Sequence, residues 1–194
     1  MGGDLTAGVE REALEALDRA HAGDPARPGG RAAEADYAER LEAWVRRLVP
    51  APSPALRLAA RAQHLERWAV ARRDYPEGRG GYLRWRSAVH DHQGRRAREI
   101  LGAVGVPAEV AERVARLVAK RTPPGDPEMQ ALEDAACLVF VETQLAEFSR
   151  QHAREKVVAV LRKTWRKMGP GGRDAASRLP LPPELRELLE SALG

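Results

Sequence analysis

Aromatic side chains are scarce in this 194-residue chain, which has four Trp, three Tyr and two Phe. A core built on ring packing is therefore excluded, and aliphatic side chains must supply most of the buried surface. There is one cysteine, Cys137, so no intramolecular disulfide can form, and a lone thiol suits a reducing compartment. The longest apolar run, AACLVFV over Ala135–Val141, is far too short to span a bilayer, so no membrane association is expected. The opening MGGDLTAGVEREAL places acids before any apolar run and does not fit a secretory signal; a cytoplasmic protein is expected. There is no glycine-rich phosphate loop, dinucleotide fingerprint, CxxC pair or nucleophile elbow. With Ser and Thr also few, a hydrolase built on this chain would need a metal or a histidine base.

What the chain does carry is helix signal. Hydrophobic residues make up 43% and charged residues 31%, the balance of a globular protein. Leu5, Val9, Ala13, Leu14 and Leu17 repeat at three-to-four spacing, as do Tyr37, Leu41, Trp44, Val45 and Leu48. Ser53-Pro54 and Asp126-Pro127 are each an N-cap followed by proline at the first helical position. They predict one helix through ALRLAARAQHLERWAV and another, the most apolar, through PEMQALEDAACLVFVETQLAEF. Further helices are expected from Gly81, from Pro107, over 153–168 and in the terminal LPPELRELLESAL, with GPGG as a breaker. Strand signals are nearly absent. The fold expected is all-α, a single compact multi-helix domain over 33–194, with a loosely docked first helix and Pro/Gly linker over 1–32.

The net charge of +4 comes from an uneven arginine distribution: ten arginines against four acids between Arg61 and Arg98. Such a segment attracts anions, whether phosphates, nucleotides or a nucleic-acid backbone; a solvated, arginine-rich helix face would look the same. Three of the five histidines, His64, His90 and His92, fall in this region. A single His (His64), an adjacent His90-Asp91 pair and a distant Asp134, all on helices, follow the ligand order of HD-type metal-dependent phosphohydrolases. Imidazole and carboxylate suit Mn, Fe, Co or Zn, and a site with open positions can acidify water and hold a phosphate oxygen. On that reading His64, His90, Asp91 and Asp134 hold the metal. Glu133 acts as general base or orients the site, and Arg61, Arg67 and Arg86 bind the phosphate of a small phosphorylated metabolite or nucleotide. The competing expectation is a non-enzymatic helical protein whose 61–98 segment binds RNA or an acidic partner. His21 and His152 read as surface residues and Cys137 as a small core residue.

Four words, ARAQHLERW (Ala60–Trp68), GYLRWR (Gly81–Arg86), DPEMQALEDAACLVFVE (Asp126–Glu142) and KTWRKM (Lys163–Met168), occur in the order found in domain-of-unknown-function family 4202. The chain resembles that family from about Tyr37 to near its end. The resemblance implies a helical core remotely like that of the HD hydrolases. It also implies functional weight on Arg61, His64, Arg67, Lys120, Asp126, Glu128, Glu133 and Asp134, which adds Glu128 as the alternative general base and Lys120 as a further phosphate-binding cation. One position departs from the family pattern: a histidine expected three residues after His90 is Gln93 here, so His92 or the His90-Asp91 pair would have to stand in.

Overall fold

The computed structural model describes residues 5–27, 30 and 32–193. Among these the protein is all-helical, with ten α-helices and no strand. They are α1 (Ala7–His21), α2 (Ala33–Leu48), α3 (Pro54–Arg61), α4 (Gly78–Ala103), α5 (Ala108–Val118), α6 (Pro127–Val139), α7 (Leu145–Gln151), α8 (Arg154–Lys167), α9 (Pro170–Ser177) and α10 (Pro183–Leu193). No helix among the described residues is long and apolar enough to cross a membrane.

Helix starts follow the expected chemistry. The Ser53 hydroxyl accepts from Leu56 N at 3.0 Å, and Asp126 Oδ1 accepts from the amides of Glu128 and Met129, each with proline next in sequence. Around them packs a core of Leu, Val and Ala, including Leu17, Leu58, Leu101, Val114, Leu117 and Leu138, all fully buried. Helices α4 and α5 lie against each other at Gly94, where an added Cβ would stand 2.7 Å from the Ala115 carbonyl oxygen.

GPGG breaks the preceding helix as expected, α8 ending at Lys167, and Pro170 then opens a short additional helix, α9, since proline fits the first turn of a helix as well as it breaks the interior. Two expectations are corrected. The long apolar helix does not run unbroken, because a π-helical turn over Phe140–Gln144 separates α6 from α7. Nor is the first helix loosely docked. Ala13 and Leu17 are fully buried in the common core, and Arg57 and Arg61 of α3 pair with Glu10 and Asp18 of α1. Residues 28, 29 and 31 of the expected linker lie outside the described residues. The linker's start is fixed: buried Asp24 accepts from Ala26 N at 2.8 Å and from Glu34 N at 3.5 Å. A carboxylate from the linker thus caps the N-terminus of α2, whose own N-cap residue, Ala32, has no side-chain acceptor.

Candidate functional site

Helix α3 ends at Arg61, three residues short of His64, although nothing in AQHLERW is a recognised breaker. His64 and Glu66 both adopt left-handed backbone conformations, with φ of 62° and 48°, and turn the chain out of the helix. Neither residue favours that region, which costs on the order of 1–3 kcal/mol for each non-glycine residue held there. Packing holds the turn. Glu66 takes a two-pronged bond from Arg96 of α4, at 2.7 Å from Nε and 3.0 Å from Nη2, and the Trp85 indole donates to Val70 O at 2.9 Å.

The result is that His64 leaves the helix and enters a cavity of about 470 Å³ between the 62–70 turn, α2, α4, α6 and the ends of α5 and α8. Its Nδ1 lies 2.7 Å from Glu34 Oε2, and its ring stacks on Tyr37, with centroids 4.2 Å apart and planes 3° from parallel. Burial of Glu34 opposes its ionisation. The hydrogen bond and charge of His64 outweigh that burial and hold the carboxyl below its ordinary range. With Glu34 ionised, Nδ1 carries the proton, and Nε2 is the ring atom left for a ligand. Sequence reasoning missed Glu34, because an acid in the first turn of a helix ordinarily just complements the dipole.

A second strained residue faces the same space. Helix α5 closes with Lys120 in the left-handed C′ position, φ 55°, with Arg121 N bonded to Arg116 O and Lys120 N to Leu117 O. The same pair of bonds closes α4 around Gly105, φ 80°, the residue type this motif favours. Lysine at that position brings its ammonium to the Glu133 carboxylate and into the cavity.

The lining is strongly cationic. Arg67, Arg86, Lys120 and Lys167 face it with a single carboxylate, Glu133. Burial opposes ionisation of Glu133, but Lys120, Lys167 and Arg86 together keep it ionised below its usual range. Arg67 also lies 5.3 Å from the centre of the Trp85 ring. Burial, followed by the charges of Lys120, Arg86 and His64, pushes His90 down to about 4, so its imidazole is neutral at neutral pH.

That shift has a consequence for stability. Between pH 6.5 and 4 the unfolded chain binds a proton at His90 that the folded chain does not, so stability falls as pH falls through this window. Burial lowers His21 and His92 as well and acts in the same direction. Urea midpoints measured from about pH 7 to about pH 5, above the main carboxylate range, should decline in the wild type and decline less in His90→Gln. An equal decline in both would show that His90 contributes nothing.

The family model described as a domain of unknown function (DUF4202) matches residues 11–189, a span that takes in the whole cavity. The chain belongs to the DUF4202 family. No curated protein and no solved structure matches it.

Of the residues singled out on the resemblance to DUF4202 or on the HD order, His64, Arg67, Arg86, His90, Lys120 and Glu133 line the cavity together. The others are elsewhere, and helix geometry explains two of them. Adjacent residues on a helix point about 100° apart, so of each pair His90-Asp91 and Glu133-Asp134 only the first reaches the cavity. Asp91 pairs with Arg121. Asp134, only 6% exposed, accepts from Gln130 Nε2 at 2.7 Å and from Gly169 N at 2.8 Å, at the turn between α8 and α9. Arg61 binds Asp18 through two bonds, at 2.6 and 2.8 Å, and Glu42 through a third at 3.1 Å. Asp126 and Glu128 both bind Arg113, and Glu128 also accepts from Ser53. His92 stands 3.6 Å from Glu66, outside the cavity lining. His21 is fully buried and donates from Nε2 to Arg61 O at 2.9 Å, which corrects its surface assignment. The expected set of His64, His90, Asp91 and Asp134 therefore does not fit a metal ion, and no group of three or more His, Cys, Asp or Glu among the described residues converges on one.

Proposed function

We propose that the cavity binds a small phosphorylated metabolite or nucleotide and that the chain hydrolyses its phosphoester in the cytoplasm, where the free thiol of Cys137 persists unoxidised. The observation that carries this reading is four cations gathered around two histidines in one concavity, with the sole lining carboxylate tied to Lys120. Arg67, Arg86 and Lys167 form no ion pair among the described residues, which leaves their charge for a ligand. Charge-assisted bonds to phosphate oxygens are the strongest these groups make.

The chemistry rests on the Glu34–His64 pair. Glu34 fixes the tautomer and stabilises the imidazolium. Nε2 of His64 takes a proton from water as the water oxygen bonds to phosphorus. The bond from phosphorus to the ester oxygen breaks, and the leaving oxygen takes its proton from the Lys120 ammonium. Arg67, Arg86 and Lys167 carry the charge that spreads over the phosphoryl oxygens.

RNA binding along 61–98 finds less support. Arg61, Arg96 and Arg98 are taken up by acids, Arg72 bonds the carbonyls of Tyr75 and Pro76, and Arg67 and Arg86 turn into the cavity.

Calorimetric titration with inorganic phosphate, beside hydrolysis of p-nitrophenyl phosphate, tests the reading. Binding should weaken by about 10- to 100-fold in Arg86→Ala and in Lys167→Ala, the worth of one charged hydrogen bond. Absence of both binding and hydrolysis in the wild type would overturn it.

A further inference from the structure

We infer that the ligand is a nucleoside monophosphate, its base held against Tyr82 and Trp85 at the cavity's rim; this rests on the phosphate-binding reading above. The first observation is where the aromatic residues lie. In a chain with only nine Trp, Tyr and Phe side chains, Tyr37, Tyr82 and Trp85 all line this one cavity. Tyr37 is committed to stacking on His64. Tyr82 and Trp85 are not explained by core packing: Tyr82 is 44% exposed, and Trp85 is held in place by its bond to Val70 O rather than sunk among aliphatic side chains. A flat base gains most from such a wall, since stacking on aromatic faces is the sequence-tolerant way proteins hold one.

The second observation is the order of residues along α4. Tyr82, Trp85, Arg86, Val89, His90 and Gln93 fall at three- and four-residue steps and so form one face of the helix, about 16 Å long at 1.5 Å per residue. That face runs from an aromatic, solvent-open end, through Arg86 and His90, to Gln93, which is 2% exposed. His90 lies five residues beyond Trp85 on this face, about 7.5 Å further along the axis; the charges of Lys120 and Arg86 act on it there, and those of Lys120, Lys167 and Arg86 act on Glu133. A nucleoside monophosphate has its base and phosphate at a comparable separation, and the cavity's 470 Å³ falls within the range of small-ligand sites. The third observation is Gln93 itself. Its Nε2 is buried and has no hydrogen-bond partner among the described residues, an expensive state for a donor, and a phosphoryl oxygen at the closed end of the cavity supplies the missing acceptor.

The test compares four probes on the full chain by calorimetry: adenosine and cytidine monophosphates, ribose 5-phosphate and inorganic phosphate. The nucleotides should bind at least ten-fold more tightly than ribose 5-phosphate. Tyr82→Ala should remove several-fold of that advantage with the ribose 5-phosphate affinity unchanged, and Trp85→Leu should remove most of it. Because Trp85 also ties down the 62–70 turn, the exposed Tyr82 is the variant whose fold is safe, and its ratio decides. Equal affinity for nucleotides and ribose 5-phosphate, or a loss in Tyr82→Ala that is the same for both, overturns the nucleotide inference while leaving the phosphate site standing. If none of the four binds, both readings fall.

Discussion

Exchanging His64 for asparagine should cut phosphoester hydrolysis by about 10²- to 10⁴-fold, the usual contribution of a general base, with the fold intact. Asparagine is the informative choice because, of the non-glycine residues, it enters the left-handed region most readily. The φ of 62° and the turn after α3 are then kept while the imidazole is lost. Glu34→Gln should come close to the same loss by a different route. The glutamine amide can donate to Nδ1, which favours the tautomer with its proton on Nε2, the atom that has to accept one from water. Phosphate affinity should change little in either variant, since the cations remain. A Glu34→Gln protein with wild-type turnover would show that the 2.7 Å contact between Glu34 and His64 is only structural.

Asp134→Ala should instead lower stability by about 2–3 kcal/mol, the cost of removing a charged acceptor from buried donors. For a chain of this length that is a fall of roughly 5–10 °C in Tm. Gly169 N would lose its acceptor, and the turn that carries α8 into α9 would lose its tie to α6. The approach here is close: a Cβ on Gly172 would stand 2.6 Å from Asp134 Cγ. Calorimetry of the variant beside a phosphate titration separates this role from that of a metal ligand. A large drop in Tm with phosphate binding retained is the expected outcome. An unchanged Tm with lost activity would return Asp134 to the site.

The helices were legible because their signals are local. Ser53 and Asp126 stand where caps belong, and the apolar stripes recur at helical spacing. What was not legible depends on contacts distant in sequence. The break after Arg61 has no glycine or proline to announce it; it exists because Arg96, thirty residues on, holds Glu66. Residue type and clustering picked out His64, Arg67, Arg86, His90 and Glu133, and the resemblance to DUF4202 added Lys120; all six share the cavity. Pairing by adjacency failed for Asp91 and Asp134, since neighbours on a helix diverge. Lys167 carried no signal, being one basic residue among several at the end of α8.

The clasp between the 62–70 turn and α4 also determines how the site can move. Glu66 to Arg96, Trp85 to Val70 and Arg67 over Trp85 join the two segments at three points, so the walls bearing His64, Arg67, Arg86 and His90 travel as one body. His64 carries the connection further, since its bond to Glu34 and its stack on Tyr37 tie the same body to α2. Loss of either tie, at Glu66 or at Trp85, would therefore be felt at all four of these cavity residues rather than at one.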